Sequence, residues 1–584
     1  MHKYSYIILI ALFIVPNWII GQDKDKKDIG TETVTVTKAY KPTISDAFKV
    51  KSLPSLNDSI VLKKKKIKYS IFSIPVASTF TPAKGKASKV EKAKPEILHN
   101  SYASVGLGNF NNALVDFYTS REIDRDERID LNLNHHSSRG DVDGVALDNI
   151  FYNTKLGATY SKKDRDLNWG ANIALQHQVY NWYGIMEGEF TEPIINAIDE
   201  TQSYYNAEAG AHLDMEDSFF KNGKILVRRF WDASSSGENR VILEPTIELP
   251  LTEELLTINF KLDYVNGDFK NASVNNTENA PAIDYSHFQA GVNPSVLILR
   301  DDLSLNLGAN IVYGLDSGNE ANNFYIYPAV TASYRLLDEV AVAYGGVVGD
   351  LKQNSYYGFV AENPYVSPTL SIRPTDQQYD AYIGLKGQLL PNLSYNVKGS
   401  YTAENRKPLF KLNPENTFRD DEQGYYYGNS FEVFYDDVKT IGIFGELNID
   451  VNRNFTLGVN AEVYDYDTET DNPAWNLPSL TASVFMDYQI NKNWFLGANL
   501  FFVGERDDLS SSALQNTLPQ DFPSTIVTLD SYFDANAHLG YRFNEQLSIF
   551  AKVNNIANNN YVRWDNYPVQ GFQLLAGATY KFDF

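Results

Sequence analysis

The sequence predicts an all-β chain, a transmembrane antiparallel β-barrel of about 22 strands behind a mostly irregular N-terminal tail. Three observations predict it. Apolar and polar residues alternate with period two through much of residues 101–584. No apolar run beyond the first 22 residues is long enough for a helical span. The composition favours strands and membrane interfaces, with 38 Tyr and 33 Phe and an aromatic share of 13%.

Residues 1–22, MHKYSYIILIALFIVPNWIIGQ, carry a basic Lys3, an apolar run from Tyr6 to Val15 and a small Gly21 before Gln22. This is a secretory signal pattern. Pro16 and Asn17 break the run before it reaches the length of a span. The next segment, 23–100, holds 17 Lys, no Arg and 8 acidic residues. It reads as a basic periplasmic tail with little periodic pattern. The remainder, 101–584, is strongly acidic and reads as the barrel. The whole chain carries a net charge of −22. That charge argues against nucleic acid as a partner.

The alternation is read directly. Leu256, Ile258, Phe260, Leu262 and Tyr264 share one face, opposite Thr257, Asn259, Lys261 and Asp263. The same pattern runs through Leu303–Tyr313, Phe455–Val463, Trp494–Phe502 and Leu547–Val553. One dry and one wet face per strand fits a sandwich or a barrel. Segments of about ten residues recurring over the whole body match membrane strands. In lipid the sheet must close, because an open edge leaves backbone groups unpaired. Polar breaks at Glu404–Ser430 and Glu505–Ser524 read as outer loops, and Arg300–Asp302 and Asn491–Asn493 as periplasmic turns. In the last strand Phe572, Leu574, Ala576, Ala578, Tyr580, Phe582 and Phe584 face one side, and Phe584 closes the sequence. Ala578, Tyr580, Phe582 and Phe584 resemble the signal read by the outer-membrane barrel assembly machinery.

Two stretches carry a family resemblance. Val553–Tyr561, Trp564–Pro568 and Gly571–Phe582 resemble the end of TonB-dependent outer-membrane receptors and transporters, with Asn555, Ile556, Asn558 and Tyr561 matching and Ala557 departing. The tail segment Thr31–Thr37 resembles a TonB box. There Glu32, Thr33, Val34, Thr35, Val36 and Thr37 form an extended, β-prone string able to add to a partner's sheet edge. The stretch from Thr33 to Val50, with the Leu53–Asp58 segment after it, resembles tails of Bacteroidota barrel proteins. The resemblance implies an outer-membrane location in a Gram-negative cell. It implies import of a solute with TonB as partner, and a surface lipoprotein as a further partner. Members of the family carry a folded plug of well over a hundred residues. Lys38–Asn100 leaves room for a vestige at most.

A barrel this wide needs filling. The basic tail, with Lys63, Lys64, Lys65 and Lys66 ahead of Tyr69–Ile74, is a candidate to enter the acidic lumen. A solvated tail attracted to anionic surfaces is the alternative. The sequence offers no active site. It has no Cys, eight His and no HExxH, GxSxG, Walker or GxGxxG motif. His135 and His136 are adjacent and, in a strand, point to opposite faces. No catalytic residue, metal or cofactor is therefore expected. Two further functions stay open, a passive porin and a non-transporting barrel that scaffolds a surface or periplasmic complex.

Overall fold

The computed structural model describes residues 98–584 apart from 141, 253, 272–281, 317–320, 416–422 and 511–524. The tail segments 32–37 and 63–66 lie outside the described residues.

Strands dominate, and they follow the alternation. In chain order they are β1 (Ser101–Gly108), β2 (Ala113–Asp124), β3 (Glu127–Arg139), β4 (Ile150–Lys163), β5 (Leu167–Asn181), β6 (Thr201–Met215), β7 (Phe220–Asp232), β8 (Gly237–Leu251) and β9 (Glu254–Phe269). Then come β10 (Ile283–Arg300), β11 (Leu303–Asp316), β12 (Ala321–Leu337), β13 (Ala341–Lys352), β14 (Thr375–Leu390), β15 (Leu393–Leu412), β16 (Phe431–Asn452), β17 (Phe455–Thr468), β18 (Leu480–Gln489) and β19 (Trp494–Val503). The last are β20 (Arg506–Ser510), β21 (Thr525–Leu529), β22 (Tyr532–Arg542), β23 (Leu547–Asn554), β24 (Val562–Trp564), β25 (Tyr567–Pro568) and β26 (Gln573–Phe582). Among the described residues, two short helices sit in connections, α1 (Glu192–Ile195) and α2 (Tyr356–Glu362).

Twenty-two of these strands make one antiparallel sheet. Neighbours pair in sequence order from β1 to β19, then β22, β23 and β26. The ring closes where β26 pairs with β1, from Ser101 opposite Phe582 to Gly108 opposite Leu575. Closure satisfies the edge backbone groups that an open sheet would expose. The two small hairpins, β20–β21 and β24–β25, stand outside the wall.

Register carries one apolar face around the ring. Leu156 lies opposite Leu175, Val227 opposite Val241, Leu243 opposite Leu262, Leu385 opposite Val397, and Ile443 opposite Val463. These side chains point outward and are exposed, with Ile443 at 59% and Ile383 at 74%. A band this large has no place in water. It suits hydrocarbon on the outside. All the alternating segments read from the sequence fall in this wall.

The two ends of the barrel differ. At the end holding Ser101 and Phe582, connections are tight: β10 ends at Arg300 and β11 starts at Leu303, and β14 ends at Leu390 and β15 starts at Leu393. Thr252, Asp301 and Asp338 take positive φ in such turns. At the opposite end the connections are long, including 182–200, 353–374, 413–430 and 555–572. Two expected loops are corrected here. Glu404–Leu412 is strand, because β15 and β16 stay paired up to Leu412 opposite Phe431. Arg506–Ser510 is also strand, since it forms a hairpin with Thr525–Leu529. In both cases backbone pairing continues past the apolar band, where side-chain alternation no longer reports it.

Candidate functional site

The ring encloses a polar lumen, as the inward residues of the alternation require. Several of its charges are paired. The Arg240 guanidinium donates to both Asp263 oxygens at 2.9 and 2.7 Å, and Asp263 is fully buried. Arg228 donates to Glu208 at 2.7 Å, and Lys352 to Glu404 at 2.7 Å. Tyrosine hydroxyls donate to other carboxylates, Tyr118 to Asp130 at 3.0 Å and Tyr327 to Asp376 at 2.8 Å. A cleft of about 360 Å³ in this wall is lined by Asn222, Lys224, Glu244, Thr246, Asn259 and Lys261 among others. Its chemistry is amide, hydroxyl and both signs of charge.

The long connections bury part of their length against one another. They meet over the end of the barrel in a dry core of loop residues and the inward upper ends of strands. Its members include Tyr183, Ile185, Tyr204, Phe230, Phe269, Tyr356, Phe359, Val366, Leu370, Phe410, Tyr427, Phe431, Trp564 and Tyr567. Aromatic rings meet edge-on or stacked: Tyr356 on Phe230 at 5.1 Å and on Phe269 at 5.0 Å, Tyr183 on Tyr567 at 4.9 Å, Tyr365 on Tyr567 at 3.9 Å. Each buried ring removes a large apolar area from water, worth roughly 1.5–3 kcal/mol.

Polar groups inside this cap find specific partners. Tyr356 donates its hydroxyl to Asp232 at 2.8 Å and its backbone N–H to Glu238 at 2.6 Å, while Tyr285 donates to the same Glu238 oxygen at 2.8 Å. Ser355 caps α2 by accepting from the Gly358 N–H at 3.1 Å. Tyr204 donates to the Pro364 carbonyl, and Tyr183 to the Pro568 carbonyl, each at 2.9 Å. Asn429 donates to the Trp182 carbonyl at 2.8 Å, and Tyr567 donates to the Asn429 carbonyl.

Two glycines are forced by close approach. A Cβ on Gly184 would stand 2.5 Å from the Tyr567 ring, and one on Gly424 would stand 1.7 Å from the Asp199 carbonyl. Those two contacts are where connections from different parts of the ring touch.

The hairpin β20–β21 adds a buried carboxylate, Asp508. Asp508 accepts from the backbone N–H of Leu412 at 3.0 Å and of Leu509 at 2.8 Å. Burial pushes its carboxyl up to about 7. Asp565 is pushed up to about 6, again by burial. Burial also raises Glu362 on α2. Arg506 anchors the hairpin to the last connection by donating to the Val562 carbonyl at 2.8 Å.

The residues singled out in the sequence separate in space. Asn555, Asn558 and Tyr561 reach the cap, and the first two explain the Asn-rich stretch: both have positive φ. Asn555 donates to the Asn559 and Gln570 carbonyls and accepts from the Asn559 N–H, and Asn558 accepts from the Phe572 N–H. The stretch is a folded bracket that presents Trp564 and Tyr567 to the core. Tyr561 stacks on Tyr532 at 4.0 Å and donates to Asp534 at 3.2 Å. Ala578, Tyr580 and Phe582 lie on the outward face of β26, and the Phe584 N–H donates to Asn100. His135 and His136 do diverge. His135 meets Thr154 at 2.7 Å, whereas His136 meets the Phe151 ring at 5.3 Å. Among the described residues, no group of three or more His, Asp or Glu side chains is placed to hold a metal ion, and no helix is long and apolar enough to cross a membrane.

The cap is what sequence reading missed. Its trace was there as aromatic clusters inside polar breaks: Trp182-Tyr183, Tyr356-Tyr357 and Tyr425-Tyr426-Tyr427. Aromatic residues in a solvated loop lack a reason to cluster.

No family model and no curated protein matches the chain. Solved structures do. The siderophore receptor PirA from Acinetobacter baumannii superposes with TM-score 0.62 at 13% identity, over 84% of this chain and 81% of that one. FpvA of P. aeruginosa bound to heterologous pyoverdines gives 0.61 at 13% identity, over 84% and 72%. The ferric-catecholate import receptor Fiu of K12 E. coli gives 0.57 at 13%, over 84% and 82%. The chain has the barrel fold of these receptors.

Proposed function

We propose that the chain is an outer-membrane receptor or transporter barrel of the TonB-dependent type, in a Gram-negative cell. The observation that carries the reading is the 22-strand closed wall with an apolar exterior, of the same fold as three receptors for iron carriers. The secretory pattern of residues 1–22 supports the location, and the segment Glu32, Thr33, Val34, Thr35, Val36 and Thr37 supports energy coupling through TonB. Ala578, Tyr580, Phe582 and Phe584 serve as the signal for barrel assembly. The tail is of Bacteroidota type and holds no full plug, and Lys63–Lys66 bring positive charge to an acidic lumen. The solute has no signature in the chain, and a surface lipoprotein partner rests on the family resemblance alone.

The test is binding of a peptide spanning residues 23–60 to the C-terminal domain of TonB, paired with uptake by the chain lacking 31–37. Bound peptide and lost uptake at normal membrane insertion are expected. Absence of any binding removes energy coupling. A second reading, a non-transporting scaffold, is favoured by the folded cap, because a fixed surface over the barrel suits a partner better than a conduit does. It predicts that a surface or periplasmic partner, not a solute, is lost when the barrel is deleted.

A further inference from the structure

The cap joins opposite sides of the ring. Asn429 lies between β15 and β16, and its amide holds the Trp182 carbonyl, between β5 and β6, at 2.8 Å. These connections are ten places apart in a ring of 22 strands, close to a full diameter. Gly424 meets Asp199 across the same gap at backbone contact. Tyr183 and Tyr567 tie in the connection between β23 and β26, and Tyr204 ties in Pro364 from the connection between β13 and β14. The space between is filled by a dry aromatic core.

We propose that these connections are the resident closure of the outer mouth: they seal the lumen by themselves, with Tyr356 as keystone. Tyr356 is fully buried. It is held from two sides, by Asp232 on its hydroxyl and by Glu238 on its N–H, while its ring packs on Tyr204, Phe230 and Phe269. Both carboxylates belong to the β7–β8 hairpin, so the connection carrying α2 is fastened at one residue to wall six places around the ring. A seal of this kind needs no inserted domain at the outer mouth. The inference concerns passive closure and stands or falls apart from TonB coupling.

The experiment is single-channel conductance of the full chain in planar lipid bilayers. Three proteins are compared: wild type, Tyr356→Ala, and a chain with Lys63–Lys66 changed to Ser. Heat-modifiable migration on gels confirms that each barrel has folded. Tyr356→Phe, which keeps the ring and loses the bond to Asp232, is the milder companion. Wild type is expected to stay closed and the Lys-to-Ser chain to stay closed with it. Tyr356→Ala is expected to conduct. Tyr356→Phe is expected to raise the open fraction roughly tenfold, the factor carried by one buried hydrogen bond to a carboxylate. A wild type that conducts steadily overturns the proposal. So does a Lys-to-Ser chain that opens while wild type is closed, or a folded Tyr356→Ala chain that stays shut.

Discussion

In the wall, Ile443 and Leu385 point outward into the space that lipid occupies, and their partners across the strands repeat the pattern to the next strand. In the cap, Tyr204, Tyr356 and Phe431 are fully buried although several of their neighbours lie in segments with no period. The wall is apolar outside and polar within, and the cap is apolar within. One solvent contact explains the first arrangement and the ordinary hydrophobic effect explains the second. The difference teaches that two solvents shape this chain. Lipid selects the strands, and water drives the long connections onto one another instead of leaving them extended.

The largest effect is expected in the cap. Tyr567→Ala removes a fully buried ring that touches Tyr183, Tyr365 and Phe431. A loss of about 3–5 kcal/mol is expected, confined to the cap. Protease sensitivity of residues 182–200 should rise while heat-modifiable migration of the barrel is unchanged. Collapse of both together would show that wall and cap fold as one unit.

On the wall, Ile443→Lys puts a charge on the lipid face. It should cost about 2–4 kcal/mol near the bilayer midplane, read by urea titration of folded barrel in lipid vesicles. A neutral result would place Ile443 outside the hydrocarbon and move the band.

Acidity sharpens the comparison, because Asp508 belongs to the cap alone. Its folded carboxyl holds a proton up to about 7, against an unfolded value of about 3.9. The folded form therefore binds the extra proton between those values. Its contribution is complete below about 4 and is lost as pH rises towards 7. Amide-exchange protection across 506–510 and 525–529 should fall over that range, and Asp508→Asn should flatten the fall. An equal slope in the variant assigns the effect elsewhere.

The smallest effect is in a tight turn. Thr252 has φ of 58°, a region that costs a β-branched residue about 1 kcal/mol. Thr252→Gly should raise stability by about that amount in the same titration, with no change in the cap.

How much was legible follows from the same contrast. The strands, their closure and the location of tight turns such as Asp301–Asp302 could be read, because alternation over ten residues is a local signal. Leu303–Tyr313 shows its face without reference to any other segment. The strand content of Glu404–Leu412 was hidden because its upper residues pair beyond the lipid band and no longer alternate by solvent. The Asn-rich bracket could be recognised as a pattern, but its purpose, setting Trp564 and Tyr567 against Phe410, Phe431 and Tyr183, could not.

By itself the sequence determined that a membrane barrel forms and which face each strand turns to lipid, since period two is imposed residue by residue by a hydrocarbon boundary. What covers the mouth is set by contacts between connections far apart in the chain. Tyr183 and Pro568, or Trp182 and Asn429, are hundreds of residues apart, and no local pattern couples them. They become neighbours because 22 strands curl into a ring and bring their connections together, where burial in water-excluding contact makes them a core.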